Sequence, residues 1–218
     1  MTTKELCNEF MKLSTPSVSD AMDKIGVRCG CFGLKPIIEG KKFVGPAFTV
    51  KYSPIGQVKT GAGDYIDDTQ EGDVVVITND AKDFCTAWGN ILSTVAVSKK
   101  LAGTVIDGVC RDVDETRKMD YPMYTKGYYM VTGKDRITME SYQKTITFCD
   151  LQVSPGDIVM ADESGVLIVP RNLAEEVLAS AQAIDAAEEK IISAVKSGST
   201  LKEARVKFNY DQLQRKNG

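Results

Sequence analysis

The residues best suited to chemistry lie between Trp88 and Glu115 of a 218-residue chain. Gly89-Asn90-Ile91 opens a predicted helix, Arg111-Asp112 follows the next predicted strand, and Glu115 comes three residues later. The first turn of a helix leaves N–H groups without intrahelical acceptors and carries the positive end of the dipole, so a carboxylate is its natural guest. Arg111 adds a planar guanidinium for the same anion. Asp112 is a hard oxygen donor suited to a Mg²⁺-like cation. The pattern points to a site that holds a 2-oxo acid against a divalent metal.

The chain contains no histidine. That excludes Ser-His-Asp and Cys-His catalysis, the usual zinc hydrolase centres and the commonest general base. Carboxylate, lysine, tyrosine or metal chemistry remains. Cleavage of the bond beta to the carbonyl of a 2-oxo acid leaves a pyruvate enolate, so the task is to stabilise negative charge on that oxygen. A divalent cation as Lewis acid, with Arg111 beside it, removes the need for a lysine Schiff base.

The elements that must position these residues alternate between strand and helix. Helices are predicted over 3–13 and 17–26, the second capped by Ser17 or Ser19 and ended by Gly26. Phe43 to Tyr52 reads as a strand with a bend or an edge position at Gly45-Pro46. Val74-Val75-Val76-Ile77 suits a strand buried on both faces. Ile91, Leu92, Val95, Ala96 and Leu101 fall at helical spacing over 89–101, with Gly103 as the stop. Thr104-Val105-Ile106 is the next strand, and its end at Asp107-Gly108 is where α/β folds set binding residues. Tyr128 to Val131, Ile146 to Val153, Asp157 to Met160 and Val166 to Val169 read as short strands. A long helix runs from an Asn172 cap to about Val195, and a short one starts at Thr200.

Composition sets wide bounds. Apolar residues make up 43% and charged residues 26%, as in ordinary globular proteins, and no apolar run is long enough to span a bilayer. The mixed N-terminus with Lys4, Glu5 and Glu9 has no secretory pattern, so a cytoplasmic location is expected. One domain over residues 1–218 is predicted, with 196–218 as a C-terminal helical extension. A net charge of −3 argues against nucleic acid as the main partner. The basic tail of Lys202, Arg205, Lys207, Arg215 and Lys216 is interrupted by Glu203 and Asp211 and reads as a solvated helix end.

Other signals have ordinary explanations. The six cysteines are irregularly spaced and read as free thiols; Cys29-Gly30-Cys31 is a lone C-x-C without a second pair. Cys110 adjoins Arg111 but has no histidine base, and is expected to be a packed small residue. Gly61-Ala62-Gly63-Asp64 lacks the apolar strand that a nucleotide loop needs before it, since Gln57-Val58-Lys59-Thr60 precedes it. Tyr121, Tyr124, Tyr128 and Tyr129 are read as packing, and Lys99-Lys100 as solvated residues at a helix end.

Several motifs recur in order: Asp20-Ala21, Gly45-Pro46-Ala47-Phe48-Thr49, Gly72-Asp73-Val74-Val75, Gly89-Asn90, Asp107-Gly108-Val109-Cys110-Arg111-Asp112, Pro155-Gly156-Asp157 and Ala161-Asp162-x-x-Gly165-Val166. In that order and spacing the chain resembles the RraA-like family, which includes the 4-hydroxy-4-methyl-2-oxoglutarate aldolases, over about residues 14–195. The resemblance implies a three-layer β/β/α swivelling-domain-like fold with C-terminal helices and a homotrimer or dimer of trimers with sites between subunits. It also implies a Mg²⁺- or Mn²⁺-dependent aldolase that releases pyruvate and decarboxylates oxaloacetate.

Carried over by position, the resemblance assigns substrate-binding amides to Gly89, Asn90, Ile91 and Leu92, a substrate-binding and catalytic role to Arg111, and the metal ligand to Asp112. Glu115 is the acidic residue that the family's aldolases keep and its ribonuclease-regulating members tend to lack. Asn90 departs from the pattern, standing where the aldolases place an aspartate; an amide can bond a water but supplies no negative charge. The alternative implied by the same family is a non-catalytic regulator that binds a ribonuclease or RNA helicase. A methyltransferase reading lacks any convincing glycine loop.

Overall fold

The computed structural model describes residues 1–56, 63–80 and 82–209. Gln57 to Ala62, from the supposed nucleotide loop, and Asp211, Arg215 and Lys216 of the basic tail lie outside the described residues. In chain order the elements are α1 (Thr3–Phe10), α2 (Thr15–Ile25), β1 (Lys35–Pro36), β2 (Phe43–Pro54), β3 (Val74–Thr78), α3 (Asn90–Ser98), β4 (Gly103–Cys110), α4 (Val113–Lys118), β5 (Met123–Tyr128), β6 (Ile137–Tyr142), β7 (Ile146–Phe148), β8 (Leu151–Val153), β9 (Ile158–Asp162), β10 (Gly165–Val169), α5 (Ala174–Lys196) and α6 (Leu201–Lys207). Among the described residues no helix is long and apolar enough to cross a membrane.

The main sheet has the order β1-β5-β4-β3-β2-β9-β10, with β6 also on β2. Strands β2 to β5 run parallel to their sequence neighbours, and the remaining pairings are antiparallel. β7 and β8 form a separate hairpin. Its turn residues, Cys149 and Asp150, both have left-handed backbones, so the predicted strand Ile146 to Val153 is two strands.

Alternation decides which layer each side chain joins. On β3, Val75 and Ile77 meet Trp88, Ala96, Tyr121 and Met123. Val74 and Val76 join an inner cluster with Phe43, Ala47, Val105 and Tyr124. Val159 and Ala161 of β9 and Val166 and Ile168 of β10 enter that same cluster from the opposing strands. Their neighbours Ile158, Met160, Leu167 and Val169 face Phe10, Met22, Val177 and Ala181 of α1, α2 and α5. The expected β/β/α layering is present: β strands pack on β strands, α3 and α4 flank the outer face of the first layer, and the terminal helices cover the second.

β2 holds these layers together. Its first residues pair with β9, its middle with β3 and its last with β6. Pro46 therefore marks a change of partner inside the sheet, rather than an edge.

Several boundaries moved for local reasons. Ser14, rather than Ser17 or Ser19, caps α2, because Pro16 fits the first helical turn. Lys100 takes the left-handed turn after α3, so Gly103 opens β4 instead of stopping the helix. There an added Cβ would meet the Phe43 ring at 2.9 Å. β5 ends at Tyr128, where the predicted strand began. Asn172 sits in a 3₁₀ turn and does not cap α5, whereas Thr200 and Glu203 form the capping box of α6. All six cysteines are free thiols.

Gly45 carries a backbone-to-backbone contact at the partner change. A Cβ there would meet the Gly72 carbonyl oxygen at 2.3 Å and Val74 Cγ2 at 2.9 Å. Because a backbone oxygen cannot rotate away, Gly45→Ala should lower unfolding free energy by about 1–3 kcal/mol in urea titrations.

Candidate functional site

A three-residue segment, Thr86-Ala87-Trp88, builds the site by lying between the end of β4 and the turn that follows β5. Ala87 N–H donates to Val109 O (3.2 Å), Thr86 N–H to Val131 O (3.0 Å) and Arg111 N–H to Trp88 O (3.0 Å). The β4–β5 ladder slips between Ile106 and Val109; such irregularities re-aim the chain that follows them. Trp88 is fixed by its indole N–H on Ser93 Oγ (2.8 Å) and by stacking on Tyr121. Ser93 Oγ in turn meets Thr116 Oγ1 of α4 at 3.1 Å.

Gly89 and Asp112 meet at the start of α3. The Asn90 N–H donates to Asp112 Oδ2 at 2.9 Å, and Arg111 Nε lies 3.5 Å from the same oxygen. Asp112 reaches this position from a left-handed backbone (φ 57°, ψ 41°), which aspartate tolerates better than most side chains. A Cβ on Gly89 would lie 2.7 Å from Asp112 Oδ2 and 3.1 Å from Arg111 Nε. Glycine is therefore required by the close approach.

The four predicted binding residues at the helix start are distinct in what they offer. The Asn90 N–H is committed to Asp112. The N-cap residue is Gly89, which has no side chain to accept from the next turn, so the N–H groups of Ile91 and Leu92 precede the first intrahelical donor, Ser93, and stay available to an anion. Leu92 also lines a cleft of about 230 Å³, together with Tyr52, Trp88, Arg111 and Ile137. The Ile91 side chain is 73% exposed. Burial raises the Tyr52 phenol above its ordinary range, so at neutral pH it remains protonated.

Arg111 borders both this cleft and a neighbouring cavity of about 460 Å³, which is lined also by Asp112, Val113, Tyr128, Tyr129 and Met130. Side chains of Arg111 and Asp112 are 37% and 32% exposed, so both reach solvent. Glu115 does not join them: it lines neither cavity and pairs with Lys118 at 2.8 Å. Cys110 is buried as expected; desolvation, offset in part by a bond to Thr125, pushes its thiol up to about 11.

Asp112 Oδ2 is tethered, while among the described residues Oδ1 has no hydrogen bond. Among the described residues no group of three His, Cys, Asp or Glu could cage a metal. A single half-buried carboxylate with one oxygen left open fits Mg²⁺ or Mn²⁺, which take oxygen donors and complete their shells with water or substrate.

Thr132, Gly133 and Lys134 also line the cleft, and the sequence pattern did not single them out. Their approach to Thr86 is a long-range contact whose only local sign is a glycine within a polar turn. Tyr128, expected to pack, and Met130, expected in a strand, are 65% and 74% exposed beside Asp112.

A family model described as RraA-like, Aldolase/RraA, matches residues 15–168. Protein DlpA of Legionella pneumophila is 36% identical over 214 residues, a match covering 97% of this chain and 35% of DlpA. The chain thus spans about a third of that relative's length. A Halalkalibacterium halodurans protein named "Putative 4-hydroxy-4-methyl-2-oxoglutarate aldolase" is 30% identical over 194 residues, covering 87% of this chain and 89% of that protein. The solved structure of Streptomyces coelicolor RraAS2, described as an unusual member of the RNase ES inhibitor RraA protein family, superposes with a TM-score of 0.80 at 26% identity. It covers 85% of this chain and 94% of RraAS2.

Gly89→Ala should push Asp112 off the Asn90 amide. Hydrogen exchange at Asn90 should then accelerate about tenfold or more, the loss of one charge-assisted bond, with exchange in β3 unchanged.

Proposed function

This chain belongs to the RraA-like (Aldolase/RraA) family, and from that premise we propose that it is a divalent-cation-dependent lyase. It cleaves a 4-hydroxy-2-oxo acid, such as 4-hydroxy-4-methyl-2-oxoglutarate, to pyruvate, and decarboxylates oxaloacetate. The observation that carries the reading is the meeting of Arg111, Asp112 and the open first turn of α3, where Arg111 and the turn line one cleft and Asp112 lines the cavity beside it.

The residues divide the work by their chemistry. Arg111 holds the substrate carboxylate and offsets charge on the neighbouring 2-oxo oxygen. The N–H groups of Ile91 and Leu92 fix the orientation of that carboxylate. Asp112 presents its free oxygen to the cation, while the Asn90 N–H holds the other oxygen in place. A bound Mg²⁺ or Mn²⁺ supplies Lewis-acid stabilisation of the charge that develops as the carbon–carbon bond breaks. The Asn90 side chain can orient a water but carries no charge and accepts no proton. Trp88, Leu92 and Ile137 give the cleft apolar walls that strengthen these charge contacts. Glu115 has no contact with the cleft, and the proposed chemistry does not use it.

Assembly as a homotrimer or dimer of trimers belongs to the same proposal. The exposed side chains of Tyr128 and Met130 border the cavity beside Asp112, where another copy would cover them.

A second reading, a non-catalytic regulator that binds a ribonuclease or RNA helicase, draws on the likeness to RraAS2 and on the uncharged Asn90. Turnover separates the two. Purified protein with Mg²⁺ should release pyruvate from oxaloacetate and stop when chelator is added. Arg111→Ala and Asp112→Ala should each lower kcat on the order of 10²–10³. No metal-dependent turnover, together with recovery of a ribonuclease from cell extract, would overturn the lyase reading in favour of the regulator.

A further inference from the structure

Two cations and no carboxylate line the cleft among its described residues. Arg111 stands at the helix start, and Lys134 lies on the turn after β5. What matters at Lys134 is that no carboxylate of the described residues already occupies it, as happens at several other lysines. Lys51, Lys82, Lys118 and Lys126 each have a carboxylate within 2.8 Å. Among the described residues the Lys134 ammonium has none.

The turn that presents Lys134 is built, not loose. Arg136 Nη1 donates to the carbonyls of Thr132 (3.2 Å) and Lys134 (3.3 Å). The N–H groups of Arg136 and Ile137 close on Gly133 O at 2.9 and 3.0 Å, and the Lys134 N–H bonds Thr132 Oγ1 at 3.2 Å. Gly133 approaches Thr86 so closely that a Cβ would lie 2.4 Å from the Thr86 carbonyl oxygen. Thus one glycine seats Arg111 against the helix start, and another seats the Lys134 turn against the segment leading into it.

We propose that Lys134 is a specificity-determining residue that reads a second carboxylate, so that the cleft selects dianionic 2-oxo acids over monoanionic ones. The inference rests on the lyase reading for the position of the first carboxylate at Arg111. A cleft of about 230 Å³ is below the size of drug-binding pockets, which suits a small dicarboxylate. A monoanion would satisfy Arg111 alone and leave the second cation without an electrostatic partner.

Matched ligands isolate the second charge: 2-oxoglutarate and 2-oxopentanoate have the same chain length and differ by a carboxylate in place of a methyl. Calorimetry in the presence of Mg²⁺ should give wild-type protein about fivefold tighter binding of 2-oxoglutarate, the upper range for a partly exposed ion pair. Lys134→Met should bring that ratio close to one by weakening 2-oxoglutarate alone, and Lys134→Arg should keep most of it. A wild-type ratio near one, a ratio that survives in Lys134→Met, or binding of neither compound would overturn the inference. A lysine-dependent preference without pyruvate release from any oxo acid would sink the lyase reading and leave the inference standing. Pyruvate release without the preference would do the reverse.

Discussion

The contact between the Asn90 amide and the Asp112 carboxylate organises everything around it. A helix start needs an acceptor for its N–H groups, and here the acceptor comes from a loop that follows the neighbouring strand. Three features must agree for this to happen. Gly89 must lack a side chain, Asp112 must adopt a left-handed backbone, and the Arg111 amide must hold the Trp88 carbonyl. Each is weak alone, and together they fix a carboxylate and a guanidinium at one helix end. Because only one oxygen of Asp112 is used in this way, structural and chemical roles can share the same side chain.

The layers behind this contact supply its rigidity. β3 and β4 are buried along their whole length, with alternate side chains committed to different clusters. A shift of one residue would exchange the two faces, so register is strongly specified. Trp88 transmits that order to the site, since its ring stacks on Tyr121 and its N–H holds Ser93 of α3. Tyr121 itself is tied to β4 through Thr104. The cleft wall is therefore continuous with the core.

Much of this was legible in the residues, and the exceptions have physical causes. The Val74–Ile77 run announced a strand covered on both sides, and the α3 start with Arg111-Asp112 announced a meeting of anion-binding groups. Tyr128 to Val131 misled because aromatic and β-branched residues favour strands, whereas Tyr128 and Met130 are exposed around a cavity. Glu115 is marked only by the resemblance to the family's aldolases, and in α4 it pairs with Lys118 outside both cavities. Lys134 gave no signal, since its significance depends on which residues the fold places opposite it. Gly133 was equally silent. A glycine required for close approach looks the same in sequence as one required for a turn, and only the Thr86 carbonyl distinguishes them.

The many partners of β2 impose an order on how the chain comes together. Its first residues pair with β9, more than a hundred positions downstream, while its middle pairs with nearby β3. Contacts of such long sequence separation form late, because loop closure must precede them. During synthesis, Phe43 to Pro46 wait without their strand partner until residues 158–161 have left the ribosome. For that interval the nascent molecule exposes an unsatisfied strand edge and half of an apolar layer. Chaperone demand and misassembly should concentrate in that window, the interval between synthesis of β2 and synthesis of β9.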